Sequence, residues 1–253
     1  MIIDAHSHLF DKLFDSDREK VITRMKAAGV STITVGTDYA ESVRAIEIAE
    51  EYSDEKYDMW ATVGLHPSDN PEEHFDISTF RNLALNPKVV GIGETGLDYY
   101  WGKTEEDRVR QKKLFEQHIE LAREVSKPLM IHCREAYEDL LPMIPDDVKA
   151  HFHFFSSDWS IAQKCLDRGF TLSFPGTITF THQYDEVVKN VPSDCFTVET
   201  DAPYVAPAPY RGRRNEPIYV LETIKRVAEI RGITPERVAE LTTATSKRVF
   251  AIP

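Results

Sequence analysis

The chain has 253 residues, 42% of them hydrophobic, which suits a globular protein able to bury a substantial core. Its net charge of −12 argues against broad attraction to nucleic acid or anionic membrane, and no apolar run reaches the roughly 18 residues of a membrane span. The N-terminus lacks the basic segment, apolar core and cleavage site of a signal peptide, so a soluble cytoplasmic protein is expected, with Cys133, Cys165 and Cys195 as reduced thiols outside any CxxC pair.

The first predicted element is the strand IIDAHSH near 2 to 8, in which alternation places His6 and His8 on one face with Asp4. Ser16 with Glu19 marks a helix start, and the strands STITVG near 31 to 36, MWATVGLH near 59 to 66 and VVGIGETG near 89 to 96 follow. The clearest helix runs from about Thr104 to Val125, opened by a capping box of Thr104 and Asp107. Four further strands are PLMIHC near 128 to 133, KAHFHFF near 149 to 155, FTLSF near 170 to 174 and FTVET near 196 to 200; Thr234-Pro235-Glu236 opens a last helix. Eight strands spaced by helix-sized connections predict repeated βα units, and 253 residues without a linker fit a single-domain TIM-like (β/α)8 barrel spanning 1–253. An open doubly wound sheet is the competing architecture, because periodicity does not show closure.

Ligand-type residues end these strands: His6 and His8, His66, Glu94, His132, His153 and Asp201. In a parallel barrel the strand ends meet on one face, and imidazole with carboxylate suits Zn, Mn or related divalent ions. Five histidines and two acids exceed one four-coordinate site, which points to two divalent ions (Mg, Mn or Zn) sharing a carboxylate. His151 shares a strand face with His153, and spacing alone leaves the two as alternatives. His74, His118 and His182 lack strand-end placement and read as surface or helix residues, and Cys133 as a buried thiol facing away from His132.

DAHSHL, GIGETGLDYYW, IHCREA, HFHFFSS, ETDAPYVAP and RGRRNEP, in this order from residue 2 to about residue 250, resemble the TatD-related metal-dependent hydrolases, described as deoxyribonucleases of the amidohydrolase superfamily. The resemblance implies a TIM-like barrel with two divalent ions, one among His6, His8, Glu94 and Asp201, the other among Glu94, His132 and His153, with Glu94 as the bridge. It also selects His153 over His151, as the residue just before Phe154-Phe155-Ser156. Ser157 and Thr245 depart from the family pattern, where glycine and asparagine are usual, and neither is an implied ligand.

The expected reaction is hydrolysis of a phosphodiester by a metal-activated water, with Asp201 orienting the water or accepting its proton. His66 is the candidate acid or substrate-positioning group. Arg134, Arg211 and Arg213 are candidate phosphate contacts, with structural salt bridges as the alternative. Tyr99 and Trp101 are candidate base-stacking residues, with aromatic packing of their loop as the alternative. The leading function, as the resemblance implies, is a 3'-5' exonuclease on single-stranded DNA, with RNA as a further substrate; no membrane or obligate protein partner is expected. The second is hydrolysis of C–N, ester or lactone bonds, including aminoacyl-tRNA deacylation, and the third a non-catalytic metal-holding barrel.

Overall fold

Strand alternation and helical spacing resolve into an ordered β/α series in the computed structural model, which describes residues 1–69 and 72–253. The strands are β1 Ile2–Ser7, β2 Val30–Val35, β3 Trp60–Val63, β4 Val89–Asp98, β5 Leu129–Arg134, β6 Ala150–Phe152, β7 Thr171–Phe174 and β8 Phe196–Val198. The helices are α1 Arg18–Ala27, α2 Tyr39–Tyr52, α3 Ile77–Ala84, α4 Glu105–Val125, α5 Tyr137–Leu140, α6 Trp159–Asp167, α7 Asp185–Asn190, α8 Val220–Arg231 and α9 Pro235–Phe250. The strands pair in parallel and in sequence order from β1 to β8. Past β8 the chain returns to β1: Asp201 N–H donates to His6 C=O at 2.9 Å and His8 N–H to Ala202 C=O at 2.7 Å. These bonds close the sheet into a TIM-like (β/α)8 barrel, and the open-sheet alternative falls away.

A large apolar cluster of strand and helix side chains forms the core, and a second one joins Ile3, Ile33, Val35, Trp60 and Met130 to Val249 and Phe250 of α9. Thr104 and Asp107 form the expected capping box of α4, and Thr234 caps α9 with Pro235 in its first turn. The expectation for Ser16 and Glu19 is corrected. The first residue of α1 is Arg18 and Asp17 occupies the cap position without a side-chain cap bond, because Arg214 takes both Asp17 carboxylate oxygens at 2.6 and 2.8 Å. Thr245 is buried on α9, bonded to the Leu241 carbonyl, away from the strand ends. Among the described residues no helix is long and apolar enough to cross a membrane.

Candidate metal centre

β4 carries the residue around which the site is built. Gly93 and Gly96 have φ of +141°, and a Cβ would lie 2.3 Å from Met130 O at the first and 2.0 Å from His132 O at the second. Only glycine lets β4 lie this close to β5, and the approach brings Glu94 beside His132. A register irregularity between Asp4 and Ser7 interrupts the alternation in β1. Asp4 therefore leaves the face predicted for it and is taken by Thr200 and Thr32, while His6 and His8 converge with Nε2 atoms 3.1 Å apart.

The two oxygens of Glu94 serve different clusters. Oε2 lies 3.3 Å from His6 Nε2 and 3.8 Å from His8 Nε2, and Asp201 Oδ1 lies 3.7 and 3.3 Å from the same two nitrogens. Oε1 lies 2.8 Å from His153 Nε2 and 3.0 Å from His132 Nδ1, which are 3.4 Å apart. His66 Nε2 also approaches Oε1, at 3.5 Å, and His66, Glu94 and His132 form a further convergent trio. Glu94 thus stands between two groups of side chains able to ligate a metal ion.

Neighbouring bonds set which nitrogen each ring presents. His8 Nδ1 donates to Val35 C=O at 2.8 Å and His132 Nε2 to Asp98 Oδ2 at 2.9 Å, so the neutral rings turn lone pairs toward Asp201 and Glu94. With those rings neutral, acceptors would face acceptors in a buried space, an arrangement that a bound cation, or in its place a proton on the ring, relieves. The fields agree. Burial lowers the His8 pKa, but Asp201 and Glu94 outweigh it and carry the ring up to about 9. Burial likewise opposes ionisation of Glu94, yet His153, His66, His6 and His132 hold it well below the usual carboxylate range. Burial raises Asp201 while His8, His6 and His153 bring it below its ordinary value. His6 goes down through burial and the neighbouring His153. The donor set, imidazole with carboxylate, fits a divalent metal ion.

The site floors a cavity of ≈ 1190 Å³ lined by Glu94, His132, His153 and Asp201, with Arg134 and Trp101 at its mouth. His66 reaches the cavity, and its Nδ1 is held by Asp69 Oδ1 at 2.8 Å. His151 lies outside the site, buried between Thr171 and Thr197, where burial and the nearby His153 and His6 take it down to about 3. Cys133 is buried on the opposite side of β5 from His132.

The structure does not bring Tyr99, Arg211 or Arg213 to the cavity. Tyr99 is turned into the core, donating its hydroxyl to Asp139 at 2.7 Å, because it has the strand parity of Leu97 rather than of Glu94 and Asp98. Arg211 stacks on Phe180 at 3.7 Å, and Arg213 is exposed, its main-chain N–H donating to Tyr210 C=O. The sequence reading missed Asp98 and Glu199. Asp98 shares the parity of Glu94 in GETGLD, and that alternation was the available signal. Glu199 accepts the Phe154 N–H at 2.7 Å and lies 3.3 Å from His153 Nδ1.

The sequence model of the family described as TatD related DNase matches residues 3–251. A Bacillus subtilis protein named as the uncharacterized metal-dependent hydrolase YabD is 39% identical over 260 residues, covering 100% of both chains. The 3'-5' ssDNA/RNA exonuclease TatD of Pantoea ananatis is 33% identical over 264 residues, covering 99% of this chain and 100% of that protein. Among solved structures, the TatD homologue YJJV of Escherichia coli superposes with a TM-score of 0.89 at 25% identity, over 100% of this chain and 98% of that one. A barrel of this topology, a convergent His and carboxylate site at its strand ends and likeness along its whole length make the chain a member of the TatD-related metal-dependent hydrolases.

Proposed function

We propose that the chain is a 3'-5' exonuclease on single-stranded DNA, with RNA as a second substrate, and that it works with two divalent ions. The observation that carries the two-ion reading is the division of Glu94, one oxygen toward His6 and His8 and the other toward His132 and His153. The nucleic-acid reading is supported by the likeness to the Pantoea exonuclease. One ion would be held by His6, His8, Glu94 and Asp201, the other by Glu94, His132 and His153. When bound, the ions supply the Lewis acidity that makes water ionisable near neutral pH and offsets charge gathering on the phosphate oxygens.

The chain's own residues do the rest. Asp201 orients the attacking water and takes its proton. Glu94 keeps the two halves of the site at a fixed separation. His66, steadied by Asp69 at Nδ1, turns Nε2 into the cavity, where it can pass a proton to the leaving oxygen. Arg134 is the cation at the mouth placed for a substrate phosphate.

The test is a time course of end-labelled single-stranded DNA with metal-stripped protein resupplied with Mg, Mn or Zn, beside a His6→Ala/His8→Ala control. A metal-dependent ladder that shortens from the 3' end is expected. Intact DNA with every ion, from protein shown to hold two metals, overturns the nuclease reading and directs attention to C–N, ester and lactone substrates.

A further inference from the structure

The loop between β4 and α4 has features that the metal centre does not use. Trp101 is 63% exposed and stands at the cavity mouth beside Arg134. Both Arg134 and Lys103 lie against the Tyr100 ring, at 3.7 and 4.7 Å from its centroid, and Trp101 meets Tyr100 edge-on at 5.0 Å. Such cation–π contacts hold the two side chains in place without neutralising them. Among the described residues neither has a carboxylate partner, whereas Arg24 and Arg214 are both tied to Glu216. An unpaired cation at the mouth, Arg134, with Lys103 on the ring it shares, is notable on a chain of net charge −12. The part of the mouth beyond β2 and β3 is acidic, with Asp38, Glu41 and Asp69, so a polyanion is admitted over β4 and β5.

The loop is also pinned. Asp98 Oδ1 accepts the Trp101 N–H and the Asp98 carbonyl accepts the Gly102 N–H, each at 2.9 Å. The exposed indole therefore projects from fixed backbone next to His132, which Asp98 also holds. A flat aromatic face beside two unneutralised cations is the combination that holds single-stranded nucleic acid, the face taking a base and the cations its backbone.

We propose that Trp101, Arg134 and Lys103 form a subsite for the nucleotide next to the scissile phosphodiester, the indole stacking on its base and the cations taking its phosphate. This subsite rests on the exonuclease reading above. It also accounts for a single-strand preference, because a base inside a duplex has both faces covered by its neighbours.

The test is fluorescence anisotropy of a labelled oligothymidylate with the protein in EDTA, where binding is read without turnover. Trp101→Ala raises Kd about tenfold, within the range found for loss of a base-stacking aromatic, and Trp101→Phe, which keeps a face, recovers part of it. Arg134→Gln lowers the slope of log Kd against log salt by about 0.7, the value for one phosphate contact on a single strand. Digestion of the oligonucleotide by the metal-loaded wild type, with a Kd that Trp101→Ala leaves within twofold, overturns the subsite and leaves the exonuclease reading standing. Neither binding nor digestion by the wild type overturns both.

Discussion

The Asp98 carboxylate accepts the Nε2–H of His132 at 2.9 Å and so fixes Nδ1 as the nitrogen that faces Glu94. Burial raises the Asp98 pKa, but donation from His132 and from the Trp101 N–H holds it below its ordinary value, as suits an anion that orients a ligand. Asp98→Asn has the same shape but sets an NH2 group against His132. The ring then takes the other tautomer and points an N–H at Glu94 Oε1, where a lone pair is needed. Metal affinity, measured by competition with a chelator, is expected to fall about 10- to 100-fold. An unchanged affinity would mean that Asp98 serves the loop alone.

Asp98 is itself held by a buried amide on α4. Gln111 Oε1 accepts the Asp98 N–H at 2.8 Å, and its Nε2 donates to the Asp98 carbonyl at 3.0 Å. Gln111→Leu keeps much of the volume and leaves that N–H buried without a partner, while the carbonyl retains the Gly102 N–H. The expected loss of stability is about 1 to 3 kcal/mol, read from urea unfolding of the metal-free protein. A loss under about 0.5 kcal/mol would show that the loop finds another donor or acceptor.

These neighbours explain what was legible in the sequence. Glu94, His132 and the paired histidines of β1 could be read because each ends or lines a strand, and a parallel barrel turns strand position into spatial convergence. Asp98 follows the same alternation as Glu94, and that alternation puts Tyr99 on the core side with Leu97. Arg211 and Arg213 belong to a loop without period, and their contacts with Phe180 and the Tyr210 main chain follow from no local pattern. The cap of α1 is hidden from local sequence for a related reason. Its carboxylate is claimed by Arg214, a residue from the far end of the chain.

Asp201 sits at φ 59°, in the left-handed region that asparagine tolerates as well as aspartate. Asp201→Asn should therefore preserve the turn that closes β8 onto β1 while removing the proton acceptor. Turnover of single-stranded DNA is expected to fall about 10²- to 10⁴-fold, the range for loss of a general base. Metal content measured on the same samples separates the causes. A large loss of turnover with both ions retained assigns the proton transfer to Asp201, and near-normal turnover removes it from the mechanism.

His118, on α4, is buried and carries the loop just past β3 that bears His66. Its Nε2 accepts the Leu65 N–H at 2.9 Å while its Nδ1 donates to Leu114 C=O at 2.8 Å, a pair of bonds open only to the neutral ring. Burial takes its pKa down from 6.5 to about 4, against the opposing pull of the Leu114 carbonyl. The sign follows from which state binds the proton. Above pH 6.5 both states are neutral and the contribution is complete; as pH falls from 6.5 toward about 4 the unfolded chain takes up a proton that the native ring refuses, and stability is lost. The span is worth about 3 kcal/mol. His118→Gln, which does not titrate, is less stable than the wild type at neutral pH, and the gap should narrow by about that amount between pH 7 and pH 4 in urea unfolding of both proteins in EDTA. Parallel stability curves across that window would show that His118 protonates without disturbing Leu65.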